Sequence, residues 1–205
     1  MKRREKMKTK GIKCFTIALT FVMLFGAFNI FAPHVEATIQ TKSLSVPMKK
    51  QEKTKWCWAA CAEMQGKYIY NPAGNTRNQT SIVTYVKGSA DNVTGNLLDS
   101  INASDYACYN RKTFYYTQAW AWSRIKTEID ANRSVGLSAG YYNSSGIRTS
   151  GHVVVCLGYT YNSSYNTYLI HYNDPWDGIK YNCEFSQFQD GSFNGRRYDG
   201  TIYYM

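Results

Sequence analysis

One cysteine of this sequence lies between two tryptophans, at the start of an alanine-rich run. Residues 51–61 read Gln-Glu-Lys-Thr-Lys-Trp-Cys-Trp-Ala-Ala-Cys, and the apolar residues that follow Cys57 recur at helical spacing. A thiol at a helix N-terminus meets unsatisfied backbone N–H groups and the positive end of the helix dipole, and both favour the thiolate. Cys57 is therefore the candidate nucleophile.

A nucleophilic cysteine requires a base, and the histidines that follow residue 37 are His152 and His171. His152 follows Gly151 and opens the apolar run 153–158, so its imidazole is expected at the edge of a strand. His171 lies inside the strand-like run 168–172 and is interpreted as a strand residue on the wetter face. Either histidine taken alone is more often structural, but a Cys–His site must use one of them, and His152 is the predicted base.

The far nitrogen of the base needs an acceptor that orients the ring. Residues 173–178, Asn-Asp-Pro-Trp-Asp-Gly, end the next predicted strand. A hairpin between the two strands would return Asn173 or Asp174 to His152, and Pro175 favours an extended conformation at the residue before it. The competing interpretation is an ordinary turn, since Asn-Asp-Pro is also turn chemistry.

Attack on a carbonyl places negative charge on its oxygen, which needs hydrogen-bond donors around it. The backbone N–H of Cys57 supplies one donor. The side-chain amide of Gln51, six residues upstream, is the candidate for the second. The alternative interpretation of Gln51 is a solvated loop residue.

The elements that must position these residues change in character near Arg133. Before it, helices are predicted over residues 57–68, 80–87, 95–102 with Thr94 as the cap, and 119–131, with a non-periodic, tyrosine-rich segment at 103–117. After it, strands are predicted over 135–142, 152–161, 165–172, 179–185 and 198–204. Helices and strands segregated in this way favour an α+β fold with two lobes and a cleft between them.

The composition and the N-terminal residues suggest an exported domain. The chain has 205 residues, 44% apolar and 19% charged, which suits one globular domain. Residues 1–37 combine a basic start, an apolar run over 14–32 and Val-Glu-Ala at 35–37, the order of a secretory signal cleaved after Ala37. An uncleaved membrane anchor is the alternative. We expect a short leader at 38–50 and the domain at 51–205.

Charge and cysteine content narrow the partners. Seven of the 24 Lys and Arg residues and two of the 14 Asp and Glu residues leave with the signal, and the remaining net charge of +5 is too modest to indicate nucleic-acid binding. An odd number of cysteines remains, so at least one thiol is unpaired: Cys57, Cys61, Cys108, Cys156 and Cys183. The CxxC pairs typical of zinc ligation are missing. We predict no metal, no cofactor, no membrane contact after cleavage, and a monomer that acts on a protein or peptide.

In combination, Gln51, Cys57-Trp58-Ala59, Gly151-His152 before an apolar strand and Asn173-Asp174-Pro-Trp resemble the papain-like cysteine peptidases. The resemblance covers about residues 46–178 and is closest to the secreted bacterial AvrRpt2-type branch. It implies a papain-like fold, in which an N-terminal helical lobe with the catalytic helix packs against a C-terminal antiparallel β lobe. The sequence differs from the larger relatives, which are much longer and have a long pro-region.

The resemblance makes Cys57 the nucleophile, His152 the base and Gln51 the oxyanion donor. Asp174 is favoured over Asn173 as the third member, because the compact bacterial branches carry Asp before Pro. The candidates for the substrate cleft are Trp56, Trp58, Gly151 and Trp176. The implied activity is a secreted endopeptidase. The alternatives are a Cys–His amidase or acyltransferase acting on cell-wall peptides, and a non-catalytic secreted binding module.

Overall fold

The structure is a computed structural model that describes residues 38–70, 74–109 and 113–204. The predicted signal at 1–37, its cleavage site and the anchor alternative lie outside the described residues. Within these ranges, no helix has both the length and the apolar composition that crossing a membrane requires.

The described residues form five helices and seven strands, which is the predicted α+β class. The helices are α1 (Cys57–Ile69), α2 (Gln79–Lys87), α3 (Leu97–Ala107), α4 (Trp122–Asp130) and α5 (Phe185–Asp190). The strands are β1 (Ile39–Ser43), β2 (Thr113–Tyr116), β3 (Val135–Tyr142), β4 (Arg148–Asn162), β5 (Thr167–Asp174), β6 (Ile179–Glu184) and β7 (Arg197–Tyr204). Helices α1 to α3 form one lobe, and the strands form a single antiparallel sheet.

The sheet has the order β2-β7-β3-β4-β5-β6, and β1 pairs with residues 158–162 at the end of β4. The predicted hairpin is present: β4 and β5 pair from Asn162↔Thr167 to Val155↔Asn173. The first residues of β4 continue past the end of β5 and pair with β3 alone. His152 lies in this extension, where a strand residue can face a cleft.

Helix α1 joins the two lobes, because it is buried on both sides. Cys61 and Met64 belong to the core of the sheet, whereas Trp58 and Ala62 belong to a second core among the helices. Gly66 contacts the carbonyl of Ala107 on α3 so closely that a Cβ would not fit. Small residues such as Ala62 and Gly66 allow the neighbouring elements to approach α1 closely.

The third helix differs from its prediction. Its N-cap is Asn96, not Thr94: the Asn96 side chain accepts a hydrogen bond from Asp99 N at 2.9 Å, and Asp99 Oδ2 accepts one from Asn96 N at 2.7 Å. The helix then runs to Ala107, and β2 follows, within the segment predicted to be non-periodic. The reciprocal cap explains the later start, since it satisfies two N–H groups of the first turn.

Two further segments depart from the prediction. Residues 38–50, the predicted leader, contribute β1, and Leu44 and Val46 are buried in the core of the sheet. Phe185, predicted as the end of a strand, begins α5, and its side chain and that of Phe188 are buried. In both cases the apolar side chains are held by contacts distant in sequence, which override the local pattern.

Candidate active site

Two buried indoles fix the position of Cys57. Trp56 Nε1 donates to Asp91 O at 2.9 Å, and Trp58 Nε1 donates to Val93 O at 3.4 Å. Trp56 is the N-cap of α1, and Cys57 is its first residue and partly exposed. The thiol therefore lies at the helix N-terminus, as predicted, between two side chains that bind the same loop.

The His152 imidazole and the Asp174 carboxylate form a buried pair. His152 Nε2 lies 2.6 Å from Asp174 Oδ1, and the residues are 7% and 3% exposed. Because Nε2 faces Asp174, Nδ1 is the nitrogen left for Cys57, whose thiol is also hydrogen-bonded to His152. The three side chains form a chain of hydrogen bonds from sulfur to carboxylate.

The charges in this chain stabilise one another. Burial opposes the thiolate of Cys57, but the hydrogen bond and positive charge of His152, together with the N–H groups of Val153 and Trp58, lower the pKa of Cys57 below its ordinary value. Burial likewise opposes the imidazolium, but hydrogen bonds to Asp174 and Cys57 raise the pKa of His152. Each shift favours the charged form, so the thiolate of Cys57 and the imidazolium of His152 stabilise one another.

Asp174 has further partners that fix its carboxylate. Oδ1 also accepts from Trp176 N at 2.9 Å, and Oδ2 lies 3.3 Å from Arg196 Nη2. Burial opposes ionisation of Asp174, but His152, the Trp176 N–H and Arg196 lower the pKa of the carboxyl. Sequence reasoning missed Arg196, because no spacing relates a loop arginine to a strand 22 residues earlier.

Asn173, the alternative third member, has other contacts. Its Nδ2 donates to Val46 O at 3.3 Å and lies 3.7 Å from Met64 Sδ. Neighbouring residues of a strand point to opposite faces, so Asn173 and Asp174 cannot both reach His152. The geometry brings Asp174, and not Asn173, to the imidazole.

Gln51 lies in the loop directly before α1. Its N–H donates to Pro175 O at 2.7 Å, and its Nε2 donates to Lys53 O at 3.0 Å. The same Lys53 carbonyl accepts from Trp56 N at 3.0 Å, which brings the Gln51 amide to the residue before Cys57. Gln51 is 9% exposed, so it is not a solvated loop residue.

A cleft of about 400 Å³ opens between the helical lobe and the sheet, and both Cys57 and His152 line it. Three of the four cleft candidates line it as well: Trp58, Gly151 and Trp176. Trp56 does not, because its side chain is fully buried among the helices. Leu97, Tyr141 and Arg148 line the cleft without having been anticipated from the sequence.

Gly151, beside His152, makes room for an arginine on the cleft wall. A Cβ on Gly151 would overlap the guanidinium of Arg148. That guanidinium pairs with Asp199, with Nε 2.8 Å from Oδ2, and its Nη2 donates to Ser138 Oγ at 3.1 Å. The cleft wall next to His152 is thus a polar surface whose charged groups are paired.

Cys61, Cys156 and Cys183 have no such activation. Cys61, one turn along α1, donates to Val153 O at 3.1 Å, and burial with the nearby negative charges of Cys57 and Asp174 raises its pKa well above the ordinary value. Burial raises the pKa values of Cys156 and Cys183 to about 12. Cys57, Cys61, Cys156 and Cys183 are free thiols. Of these four thiols, Cys57 is the one whose pKa is lowered.

Residues 38–70, 74–109 and 113–204 contain no group of three or more His, Cys, Asp or Glu side chains arranged to hold a metal ion. The site itself offers the thiol of Cys57, the imidazole of His152 and the carboxylate of Asp174.

Residues 43–200 match the model of the Peptidase_C39 like family. The matched region includes β1 in part and extends to β7, so it covers both lobes and every residue of the site. No curated protein matches the sequence.

Proposed function

The chain belongs to the Peptidase_C39 like family, a cysteine peptidase-type family, and on this premise we propose that it is a papain-like cysteine endopeptidase. Cys57 acts as the nucleophile, His152 as the base, Asp174 as the residue that orients His152, and Gln51 as an oxyanion donor.

In the first half-reaction, the Cys57 thiolate attacks the carbonyl carbon of a peptide in the cleft. A carbon–sulfur bond forms, and the carbonyl electrons move to oxygen, where the N–H of Cys57 and the amide of Gln51 donate hydrogen bonds. His152 then gives its Nδ1 proton to the leaving amine as the carbon–nitrogen bond breaks. The product is a thioester and a free amine.

In the second half-reaction, neutral His152 takes a proton from water as that water attacks the thioester. The tetrahedral intermediate collapses, the carbon–sulfur bond breaks, and the acid product leaves. The thiolate and the imidazolium are restored. Asp174 remains ionised throughout and stabilises the imidazolium in the orientation that both steps use.

The observation that carries this proposal is the hydrogen-bonded chain from Cys57 through His152 to Asp174, with the 2.6 Å contact at its buried end. A structural cysteine gains nothing from a neighbouring imidazole held by a carboxylate. A nucleophile does, since the pair lowers the pKa of the thiol.

We extend the proposal to the surroundings of the enzyme. The protein is secreted by its N-terminal signal, belongs to the AvrRpt2-type branch, acts as a monomer and cleaves protein or peptide substrates. It uses no cofactor and binds no nucleic acid. These statements are supported by the sequence features described above.

The test compares Cys57→Ala with Cys61→Ala, two cysteines one helical turn apart. Casein hydrolysis and labelling by an epoxysuccinyl thiol reagent are expected to disappear in C57A and to persist in C61A. Hydrolysis that persists in C57A contradicts the proposal. Release of products from peptidoglycan fragments, with casein left intact, would identify an amidase instead.

A further inference from the structure

A single buried side chain holds the backbone on both sides of Gln51. Gln79, the first residue of α2, is 1% exposed. Its Nε2 donates to Lys50 O at 2.9 Å, and its Oε1 accepts from Glu52 N at 2.8 Å. The Gln79 amide therefore binds the loop as a neighbouring peptide group binds a strand, with one donor and one acceptor.

Glu63 on α1 fixes which way this amide points. Glu63 Oε2 lies 3.2 Å from Gln79 Nε2, and a carboxylate only accepts hydrogen bonds. The NH₂ group must therefore face Glu63 and the Lys50 carbonyl, and the oxygen must face Glu52 N. Glu63 is itself buried and lies 3.7 Å from Lys49 Nζ and 3.6 Å from Lys67 Nζ.

The loop is also held from its other side. Gln51 N donates to Pro175 O at 2.7 Å, one residue after Asp174. The start of α2 is fixed in turn by a reciprocal cap, in which Asn78 Oδ1 accepts from Ser81 N at 2.9 Å. Residues 50–52 are thus held between α2 and the end of β5.

We propose that Gln79 is a positioning residue for the oxyanion hole. It holds the backbone of residues 50–52, so that the Gln51 amide stays beside the residue before Cys57. Gln79 is buried, and its amide contacts the backbone on either side of Gln51, so it acts through Gln51 and not on the substrate. The inference rests on the proposed role of Gln51.

Two reactions of the same thiol test it. Alkylation by iodoacetamide needs the thiolate but develops no oxyanion, whereas peptide hydrolysis needs both the thiolate and the oxyanion hole. In Gln79→Met, kcat for a peptide substrate is expected to fall about 10- to 100-fold, on the scale of losing one oxyanion donor, while the alkylation rate stays within about twofold.

Gln51→Ala is expected to show the same split between the reactions. The double variant should have a kcat within about threefold of Gln51→Ala alone, because both changes act through one group. Gln65→Met is the matched control: Gln65 is also 1% exposed, it lies on α1, and its Nε2 has no hydrogen-bond partner among the described residues. Both reactions should stay within about twofold in that control, since its Nε2 donates no hydrogen bond to residues 50–52.

The proposal is overturned if Gln79→Met leaves kcat unchanged, or if it slows alkylation as much as hydrolysis. Gln79→Asn, which keeps the amide on a shorter side chain, is used if the Met variant does not fold.

A second readout needs no activity: hydrogen exchange of the Glu52 N–H should be at least about tenfold faster in Gln79→Met and unchanged in Gln65→Met. Equal exchange rates of the Glu52 N–H in wild type and Gln79→Met would contradict the proposal that Gln79 holds residues 50–52. A wild-type protein that hydrolyses no peptide contradicts the proposed function, and the exchange measurement still decides whether Gln79 holds residues 50–52.

Discussion

The β4–β5 hairpin holds two buried histidines, one at its cleft end and one in the middle of β5, and the two imidazoles are in opposite electrostatic environments. His152, at the cleft end, is 7% exposed and faces Asp174. His171, further along the hairpin, is 9% exposed, and its Nε2 lies 3.1 Å from Thr160 Oγ1. Burial is therefore nearly equal, and the partner differs.

The pKa values follow the partner. The hydrogen bonds of His152 to Asp174 and Cys57 outweigh burial and raise its pKa. Burial lowers the pKa of His171, and the nearby Lys180 ammonium lowers it further. A buried histidine becomes an imidazolium only where an anion compensates for lost hydration. The comparison separates an environment that favours the imidazolium from one that favours the neutral imidazole within a single hairpin.

Replacing each histidine in turn tests this comparison most directly. His152→Gln should lower kcat/KM for a peptide by at least about 10³-fold, because the thiolate loses its counter-ion and the leaving amine its acid. His171→Gln should change kcat/KM by less than about threefold. Equal losses in the two variants, measured on folded protein, would mean that the cleft end has no special role.

The anion at the cleft end is tested next. Asp174→Asn should lower kcat/KM by about 10²-fold or more, since the imidazole loses its orienting acceptor. Because Asp174 raises the pKa of His152, the alkaline limb of the pH–rate profile should move to lower pH. Asn173→Ala is the control on the same strand, with a loss of activity under about tenfold. An unmoved alkaline limb in Asp174→Asn counts against the pairing.

Stability against pH should distinguish the histidines with opposite signs. The raised pKa of His152 stabilises the folded state below the unfolded pKa, about 6.5, and this contribution is lost as pH rises through the folded value. The lowered pKa of His171 destabilises the folded state as pH falls below about 6.5.

We therefore compare the Tm of each variant with that of wild type as the pH is lowered from 8.5 to 5.5. The Tm of His171→Gln minus that of wild type should increase by a few degrees. The same difference for His152→Gln should decrease. Thermal unfolding of the three proteins measures both differences. Differences of the same sign would refute the assigned environments.

The smallest expected effect belongs to Arg196, at the outer oxygen of Asp174. Arg196→Met should lower kcat/KM only about 3- to 10-fold, because His152 keeps its own contact with Oδ1. Arg196 helps to lower the pKa of Asp174, so its removal should move the acid loss of stability to higher pH. Arg196→Lys should restore most of this acid stability. A variant with the acid stability of wild type would show that the 3.3 Å contact contributes nothing.

The sequence predicted the positions of Cys57, His152 and Asp174 in the fold better than it predicted the elements around them. Cys57 and His152 are recognised by type and by local context, because each begins an apolar element. Asp174 follows from the antiparallel return of β5, which periodicity and the turn at 162–166 indicate. Alternation along β5 separates Asp174 from Asn173, but only the side-chain contact in the structure shows that Asp174 is the one that faces His152.

The parts that the sequence did not predict depend on contacts far apart along the chain. β1 is a strand because it pairs with β4, more than a hundred residues later. Trp56 is buried because the loop at 89–95 accepts its indole N–H. Arg196 and Gln79 reach the site only through the fold. Such residues carry no local signal, since their neighbours in sequence take no part in the contact.

The central claim is that His152, held by Asp174, makes Cys57 a thiolate. The direct test is the pH dependence of Cys57 alkylation by iodoacetamide, with the modified residue identified by mass spectrometry. In wild type and His171→Gln, the midpoint should lie below the ordinary cysteine pKa of about 8.5. In His152→Gln it should rise to that value or above, because burial then acts without a counter-ion. A midpoint at or above about 8.5 in wild type, or one that His152→Gln leaves unmoved, would contradict the account.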